Sequence, residues 1–470
     1  MFDLELSYSV LLIICLVAAC TFEFVNGFHD TANAVATVIY TNSLKPWVAV
    51  IWSGFMNSMG VFYGGIAVAM GIVNLLPVET LIDQNVAHSI AMVAALLLSA
   101  IFWNLLTWYF GIPCSSSHTL VGSILGVGIA YSFLPGVESA AVNWVKAQEI
   151  GWALLISPLI GFSLTIIVMY LLRVTTKGKP YGDDLFKEPK KNAPPPIWIR
   201  GTLLLTCTFV SFFHGQNDGQ KGVGLIMLIL IGIVPGYFAL NAAFDPGKLA
   251  DPLTKIESVI KTIDSAPLSD PDQQRLAEAT ETNARIRTSI AQISNINDIP
   301  REERFLIRKD IIVMDRDLNA LVKKEEARVS QKDKKILKEN LAAVRKVIDY
   351  SPGWVIVMIS LSLGLGTMIG WKRIVKTIGE KIGKEHLTYA QGASAELVAA
   401  TTIGLASSYG LPVSTTHVLS SGIAGSMVAS KGVKNLQPDT VRNIIIAWCI
   451  TLPVVVLMSG TLFLIFRSIF

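Results

Sequence analysis

Ten stretches of this chain are apolar enough, and long enough, to cross a membrane as helices. They run roughly over 7–41, 47–76, 89–110, 113–134, 150–173, 201–237, 353–371, 388–409, 412–430 and 441–467. A hydrocarbon core about 30 Å thick needs about 20 residues of helix, and helices satisfy their own backbone inside it. The chain is therefore expected to be an all-α polytopic membrane protein. Composition agrees: of 470 residues 52% are hydrophobic and only 16% charged, where a soluble chain carries about 25% charged residues. The net charge of +4 is small and gives no sign of nucleic-acid binding. Cys15, Cys20, Cys114, Cys207 and Cys449 lie in apolar stretches without metal-type spacing and read as small core residues. The start, MFDLELSYSV, lacks the basic residues and small-residue cleavage site of a signal peptide, so the first apolar run is expected to be retained.

The first and sixth stretches are too long for one straight crossing. Each holds a polar interruption, NGFHDTAN in one and HGQNDGQK in the other. Both are expected to be broken helices, since unwound backbone is tolerated at membrane depth where it is buried or lines a wet cavity. Residues 174–200 form a charged, Pro-rich linker and 372–386 a short basic loop. Residues 238–350 carry mixed charges and no long apolar run, which suggests a helical subdomain outside the membrane.

The chain repeats itself. NGFHDTANAVATVI aligns with HGQNDGQKGVGLIM, placing Gly27 on Gly215 and Asp30 on Asp218. GIPCSSSHTLVGSILG aligns with GLPVSTTHVLSSGIAG, placing Pro113 on Pro412 and His118 on His417. The offset grows between the two motifs, and the 238–350 insert accounts for nearly all of the growth. Chance matching of short Gly/Ser/Pro motifs is the alternative, but two motifs in one order argue against it. The halves are then 1–173 and 201–470, the second being membrane at 201–237 and 351–470 and interrupted by the insert. Loops near 174–200, 372–386 and 431–442 are rich in Lys and Arg, whereas 77–88 and 134–149 are not. With basic loops in the cytoplasm, the N-terminus and the insert fall outside. Five crossings per half make the halves inverted repeats, a recurring design among secondary transporters.

Ionisable groups at mid-membrane are costly and functional by default. Glu23, His29, Asp30, His118, His214, Asp218, Lys221, Glu396 and His417 all fall in apolar stretches. Asp30 and Asp218 occupy equivalent positions and could ligate a cation, accept a proton or merely cap half-helices. The SSSH and STTH runs begin helices after Pro113 and Pro412, where free N–H groups and the positive dipole end gather. Ser115, Ser116, Ser117, Ser414, Thr415 and Thr416 add hydroxyls, so two such ends together would cradle a tetrahedral oxyanion. Ser and Thr are also ordinary caps and packing residues. His118 and His417 either relay protons or hold the turn. A Ser–His hydrolase would need one nucleophile, one base and one orienting acid, yet here every element is duplicated. A channel would need a continuous polar stripe, which the chain lacks.

These motifs resemble the inorganic phosphate transporter (PiT) family, whose signature G-A-N-D-V-A-N-A recurs in each half with P-[VS]-S-[ST]-[ST]-H. The first copy reads Gly27-Phe28-His29-Asp30-Thr31-Ala32-Asn33-Ala34 and the second Gly215-Gln216-Asn217-Asp218-Gly219-Gln220-Lys221-Gly222. The resemblance covers both membrane halves, excludes most of the insert, and is strongest to the bacterial low-affinity branch. It implies a symporter of the bacterial inner membrane, surrounded by lipid, that takes up inorganic phosphate with protons and as a neutral metal–phosphate complex. A divalent metal is then co-substrate and no cofactor is expected; a homodimer stays open. The resemblance gives substrate roles to Asp30, Asn33, Asn217, Asp218, Ser115, Ser116, Ser414 and Thr415. Members elsewhere use sodium, and arsenate shares phosphate's shape and protonation. Two residues depart from the pattern. Lys221 stands where the first copy has Asn33; its ammonium would take the place of a sodium ion and pair with an oxyanion, unless it snorkels to an interface. His29 replaces Asn and adds a titratable group. Coupling candidates are then His29, Asp30, Asp218, Lys221, Glu396, His118 and His417, with Asp30 and Asp218 as metal ligands.

Overall fold

Backbone removed from water must pair its own N–H and C=O groups, and the apolar stretches accordingly become helices. The computed structural model describes residues 2–76, 86–135, 142–179, 181–190, 193–291 and 293–469. In chain order the principal helices are α1 (Leu6–Tyr40), α2 (Pro46–Tyr63), α3 (Ala67–Val73), α4 (Val86–Tyr109), α5 (Ser116–Ser132), α6 (Trp144–Thr176), α7 (Ile197–His214) and α8 (Gln220–Ile233). There follow α9 (Ala250–Ile260), α10 (Asp270–Ile290), α11 (Arg301–Leu321), α12 (Gln331–Arg345), α13 (Gly353–Met368), α14 (Lys372–Lys376), α15 (Tyr389–Ser408), α16 (Thr415–Lys431) and α17 (Pro438–Ile469). Among the described residues β structure amounts to one bridge, Gly383 to Leu436. Most of 77–88 and part of 134–149 lie outside the described residues.

Five spans are each long and apolar enough to cross a membrane: α1, α4, α6, α17 and the run Ile197–Ile233. Two more are bent pairs, α2 with α3 at 76° and α13 with Lys372–Lys381 at 54°. α5 and α16 have 17 residues each; at 1.5 Å per residue they rise about 25 Å, the lower end of what a crossing needs. Large apolar side chains such as Leu155, Leu159 and Leu457 point outward from α6 and α17, a surface suited to lipid rather than water.

The breaks do not fall where the polar motifs suggested. α1 is one continuous helix of 35 residues through NGFHDTAN. The second motif is carried by a π-turn, Gly215–Gly219, that joins α7 to α8 without unwinding. The motif glycines serve close approach instead: a Cβ at Gly27 would lie 2.4 Å from the Leu363 carbonyl of α13, and one at Gly215 would lie 2.0 Å from the Asn57 carbonyl of α2. α1 and α2 pack on α13, α2 also on α7, α5 on α17 and α6 on α16. The stretch 372–386, expected as a loop, is helical through Lys381.

The chain divides into two compact units, residues 3–229 with 351–470, and residues 230–350. Within the second, α9 to α12 enclose an aliphatic core that includes Leu253, Ile256, Ile286, Ile311 and Leu318. Arg308 is fully buried there and donates to the Ala239 carbonyl (3.2 Å) and the Ile348 carbonyl (2.9 Å), tying together the chain's entry and exit. Burial lowers its guanidinium pKa to about 10, so it stays charged at neutral pH.

Candidate functional site

Two helix starts build one side of the site. After Pro113 the Ser115 hydroxyl accepts from the His118 N–H (3.2 Å), and after Pro412 the Ser414 hydroxyl accepts from the His417 N–H (3.1 Å). Both serines are therefore N-caps, occupied in opening α5 and α16. Their successors face inward. Ser116 Oγ donates to Asp30 Oδ2 (3.1 Å) and lies 3.4 Å from Asp218 Oδ2. Thr416 Oγ1 donates to Asp30 Oδ1. Thr415 Oγ1 is buried without a hydrogen-bond partner, and Ser117 Oγ donates to the Val413 carbonyl (2.8 Å).

Asp30 of α1 and Asp218 of the π-turn meet these hydroxyls and flank His214, the last residue of α7. His214 Nε2 stands 3.7 Å from a carboxylate oxygen of each aspartate, and its Nδ1 lies 3.0 Å from Asn57 Oδ1. One ligand atom from each of Asp30, His214 and Asp218 falls within 4.8 Å of the others, all buried. His29 Nδ1 is 3.7 Å from Asp30 Oδ1, and its Nε2 3.3 Å from Thr107 Oγ1.

Lys221 does not snorkel. It is 2% exposed, and its Nζ donates to Asp218 Oδ1 (2.8 Å), Ser117 Oγ (2.5 Å) and the Val413 carbonyl (3.0 Å). An ammonium has three donors, so none is left over for an oxyanion in this arrangement, contrary to the expected pairing. The ammonium neutralises Asp218 and staples α8 to both helix starts.

Other candidates sit apart. Asn217 is committed to the loop before α16: its Nδ2 donates to Ser407 Oγ (2.9 Å) and the Leu411 carbonyl (3.1 Å), and its Oδ1 accepts from the Val413 N–H (3.2 Å). It braces that loop rather than facing the carboxylates. Glu396 of α15 accepts from Thr37 Oγ1 and from Thr206 Oγ1 (2.5 Å). Thr37 is two turns along α1 from Asp30, or about 10 Å, so Glu396 is not part of the central cluster. The His118 and His417 rings pack 4.5 Å apart, His417 stacks on Trp448 at 3.9 Å, and His118 Nδ1 lies 2.8 Å from Ser115 Oγ. The side chain of Asn33 lies outside the described residues. His214 and Asn57 are the participants that motif reasoning left without a role. The signal for His214 was its spacing of four residues from Asp218, one helical turn.

Chemically, two carboxylates and an imidazole suit a divalent cation, while the hydroxyls and free N–H groups at two helix starts suit an oxyanion. The Ser–His pairs are caps on single helix starts, not a nucleophile and its base. Buried ionisable groups gathered from several membrane helices mark a permeation route, and fold and site together define a multi-pass membrane transporter rather than an enzyme. The chain matches the model of the Phosphate transporter family over residues 26–459 and belongs to that family. It is 39% identical to the low-affinity inorganic phosphate transporter PitA of Escherichia coli (strain K12) and 38% identical to PitB of the same strain, each over 98% of this chain and 97% of the relative. The Buchnera aphidicola (subsp. Acyrthosiphon pisum, strain APS) low-affinity inorganic phosphate transporter is 39% identical, over 98% of this chain and 97% of the relative. Among solved structures, "The sodium-dependent phosphate transporter" matches with a TM-score of 0.56 at 20% identity, covering 98% of this chain and 100% of that one; this is a likeness of fold.

Proposed function

We propose that this transporter is a secondary active symporter of a bacterial inner membrane that takes up phosphate with protons, as a neutral metal–phosphate complex. The observation that carries the reading is the buried set Asp30, His214 and Asp218 beside Ser116 and Thr416. It offers cation ligands and anion donors within one pocket. Asp30 and Asp218 with His214 would hold the metal of the complex, and the helix-start hydroxyls its phosphate. Lys221 supports protons over sodium, because the carboxylate, hydroxyl and carbonyl oxygens around its Nζ are the ligands an alkali cation would take. Glu396, and His29 beside the cluster, are proposed titrating groups of the cycle; His118 and His417 are proposed to relay protons only if their stack opens. Arsenate should compete with phosphate. Sulfate, which brings no proton for a carboxylate to accept, should not.

In proteoliposomes an inward proton gradient drives accumulation of labelled phosphate, magnesium stimulates it, and a sodium gradient alone does not. Accumulation on sodium alone would overturn the coupling, and current without accumulation would indicate a channel.

The two motif pairs support inverted repeats crossing the membrane ten times, with an external N-terminus and the 238–350 insert outside. Ser294 is exposed in that insert. In a background lacking Cys449, the exposed native cysteine, Ser294→Cys should react with an impermeant thiol reagent in intact cells. Labelling only after permeabilisation would reverse the topology.

A further inference from the structure

Glu23 takes no part in the cluster described above, yet it is fully buried on α1. It lies seven residues before Asp30, two turns along the same helix face and about 10 Å away. One oxygen, Oε2, accepts from Asn26 Nδ2 at 3.2 Å. The other, Oε1, is buried with no hydrogen-bond partner, as is Asn26 Oδ1. The carboxyl rests on the backbone of α8: a Cβ at Gly222 would fall 2.4 Å from Glu23 Cγ and 2.6 Å from Oε1. Gly222 thus leaves room for a carboxyl in a place that offers it one donor.

Among the described residues, the charged and titratable groups facing it are few. Lys221 and Asp218 come from α8 and the π-turn, and Asp30 and Cys20 from α1 itself. α13 carries no titratable residue, α2 only Tyr63, and α4 only His88 and Tyr109 near its ends. The neighbouring cation, Lys221, has its three donors on Asp218, Ser117 and Val413. An ionised carboxylate buried with one neutral donor is strongly disfavoured, whereas a neutral carboxylic acid is tolerated.

We infer that Glu23 is a further carrier of a coupling proton, loaded as the carboxylic acid in this state and emptied to water when the transporter faces the other side. The inference rests on the proton-symport reading above. It separates Glu23 from the metal and phosphate ligands, so this proton occupies a station on α1 distinct from the substrate cluster.

The test uses the full-length protein in proteoliposomes. Glu23→Gln mimics the permanently loaded acid. It should keep phosphate exchange between equal internal and external pools within about twofold of the parent, lose at least about tenfold of gradient-driven accumulation, and show exchange that depends less steeply on external pH than the parent's. Accumulation by Glu23→Gln with the parent's pH profile would overturn the inference. If Glu23→Gln loses exchange as well, Glu23→Asp decides: regained proton-driven accumulation supports an ionisable requirement, and loss of both in the folded protein shows a purely structural residue. A parent protein that ignores the proton gradient would sink the symport reading itself, an outcome distinct from any of these.

Discussion

Asp30→Asn and Asp218→Asn each abolish phosphate uptake while the protein still reaches the membrane. Asp30 receives Ser116 and Thr416 from two different helix starts and stands 3.7 Å from both His214 and His29. Asp218 receives Lys221 and stands 3.7 Å from the same His214. Asn keeps the volume, so packing survives. The charge is lost, and one acceptor oxygen becomes a donor that meets donors already in place. A hydrogen bond to a charged group is worth about 1.5–3 kcal/mol, and each aspartate makes more than one polar contact. The expected loss is therefore roughly a hundredfold or more at about 1.4 kcal/mol per tenfold, before counting the proposed metal ligand removed. Uptake of labelled phosphate, with surface labelling to confirm delivery, measures it. Normal transport by both variants would reduce the carboxylates to helix-bracing groups.

Lys221→Asn places in the second copy the residue found at Asn33. It removes the ammonium that neutralises Asp218 and leaves the oxygens of Asp218, Ser117 and Val413 facing one another. Removing one partner of a buried pair is strongly destabilising, typically about 3–5 kcal/mol, because the remaining charge stays uncompensated. The surplus negative charge also opposes an incoming anion. Apparent phosphate affinity should therefore fall roughly tenfold to a hundredfold, or about 1.4–2.8 kcal/mol at about 1.4 kcal/mol per tenfold, through the uncompensated charge of Asp218 rather than through a lost bond to the phosphate. A second consequence follows from the same three oxygens: sodium should leave the parent unchanged, as proton coupling requires, and partly restore affinity in the variant. Uptake against phosphate concentration, with and without sodium, measures both. A variant with the parent's affinity and no sodium response would make Lys221 a bystander.

Local chemistry was legible in the chain. Ser115 and Ser414 are caps because the residue before a helix satisfies an N–H three positions on, and Pro113 and Pro412 mark both starts. Spacing also put Lys221 within one turn of Asp218, where their side chains meet. What misled was the assumption that polar motifs in apolar stretches must unwind. A break at HGQNDGQK would have separated His214 from Asp218, whereas the π-turn keeps the chain helical and brings them to one site. The same continuity turns Asn217 away. Neighbours in a helix do not share a face, so Asn217 points to Ser407 and Leu411 while Asp218 points to the cluster.

Hydropathy alone determined that the chain is helical and crosses a membrane, since a backbone in hydrocarbon has no partner but itself. Repeated local patterns determined which residues open α5 and α16 and which carry charge at depth. Only the tertiary structure decided that Thr416 meets Asp30, that Lys221 lies between Ser117 and Val413, and that Glu396 bonds Thr37 and Thr206 outside the central cluster. Those partners are distant in sequence and are joined by helices crossing backbone to backbone at Gly27 and Gly215. Buried polar groups take whatever donors and acceptors such crossings bring within reach, and no local pattern encodes where two helices cross.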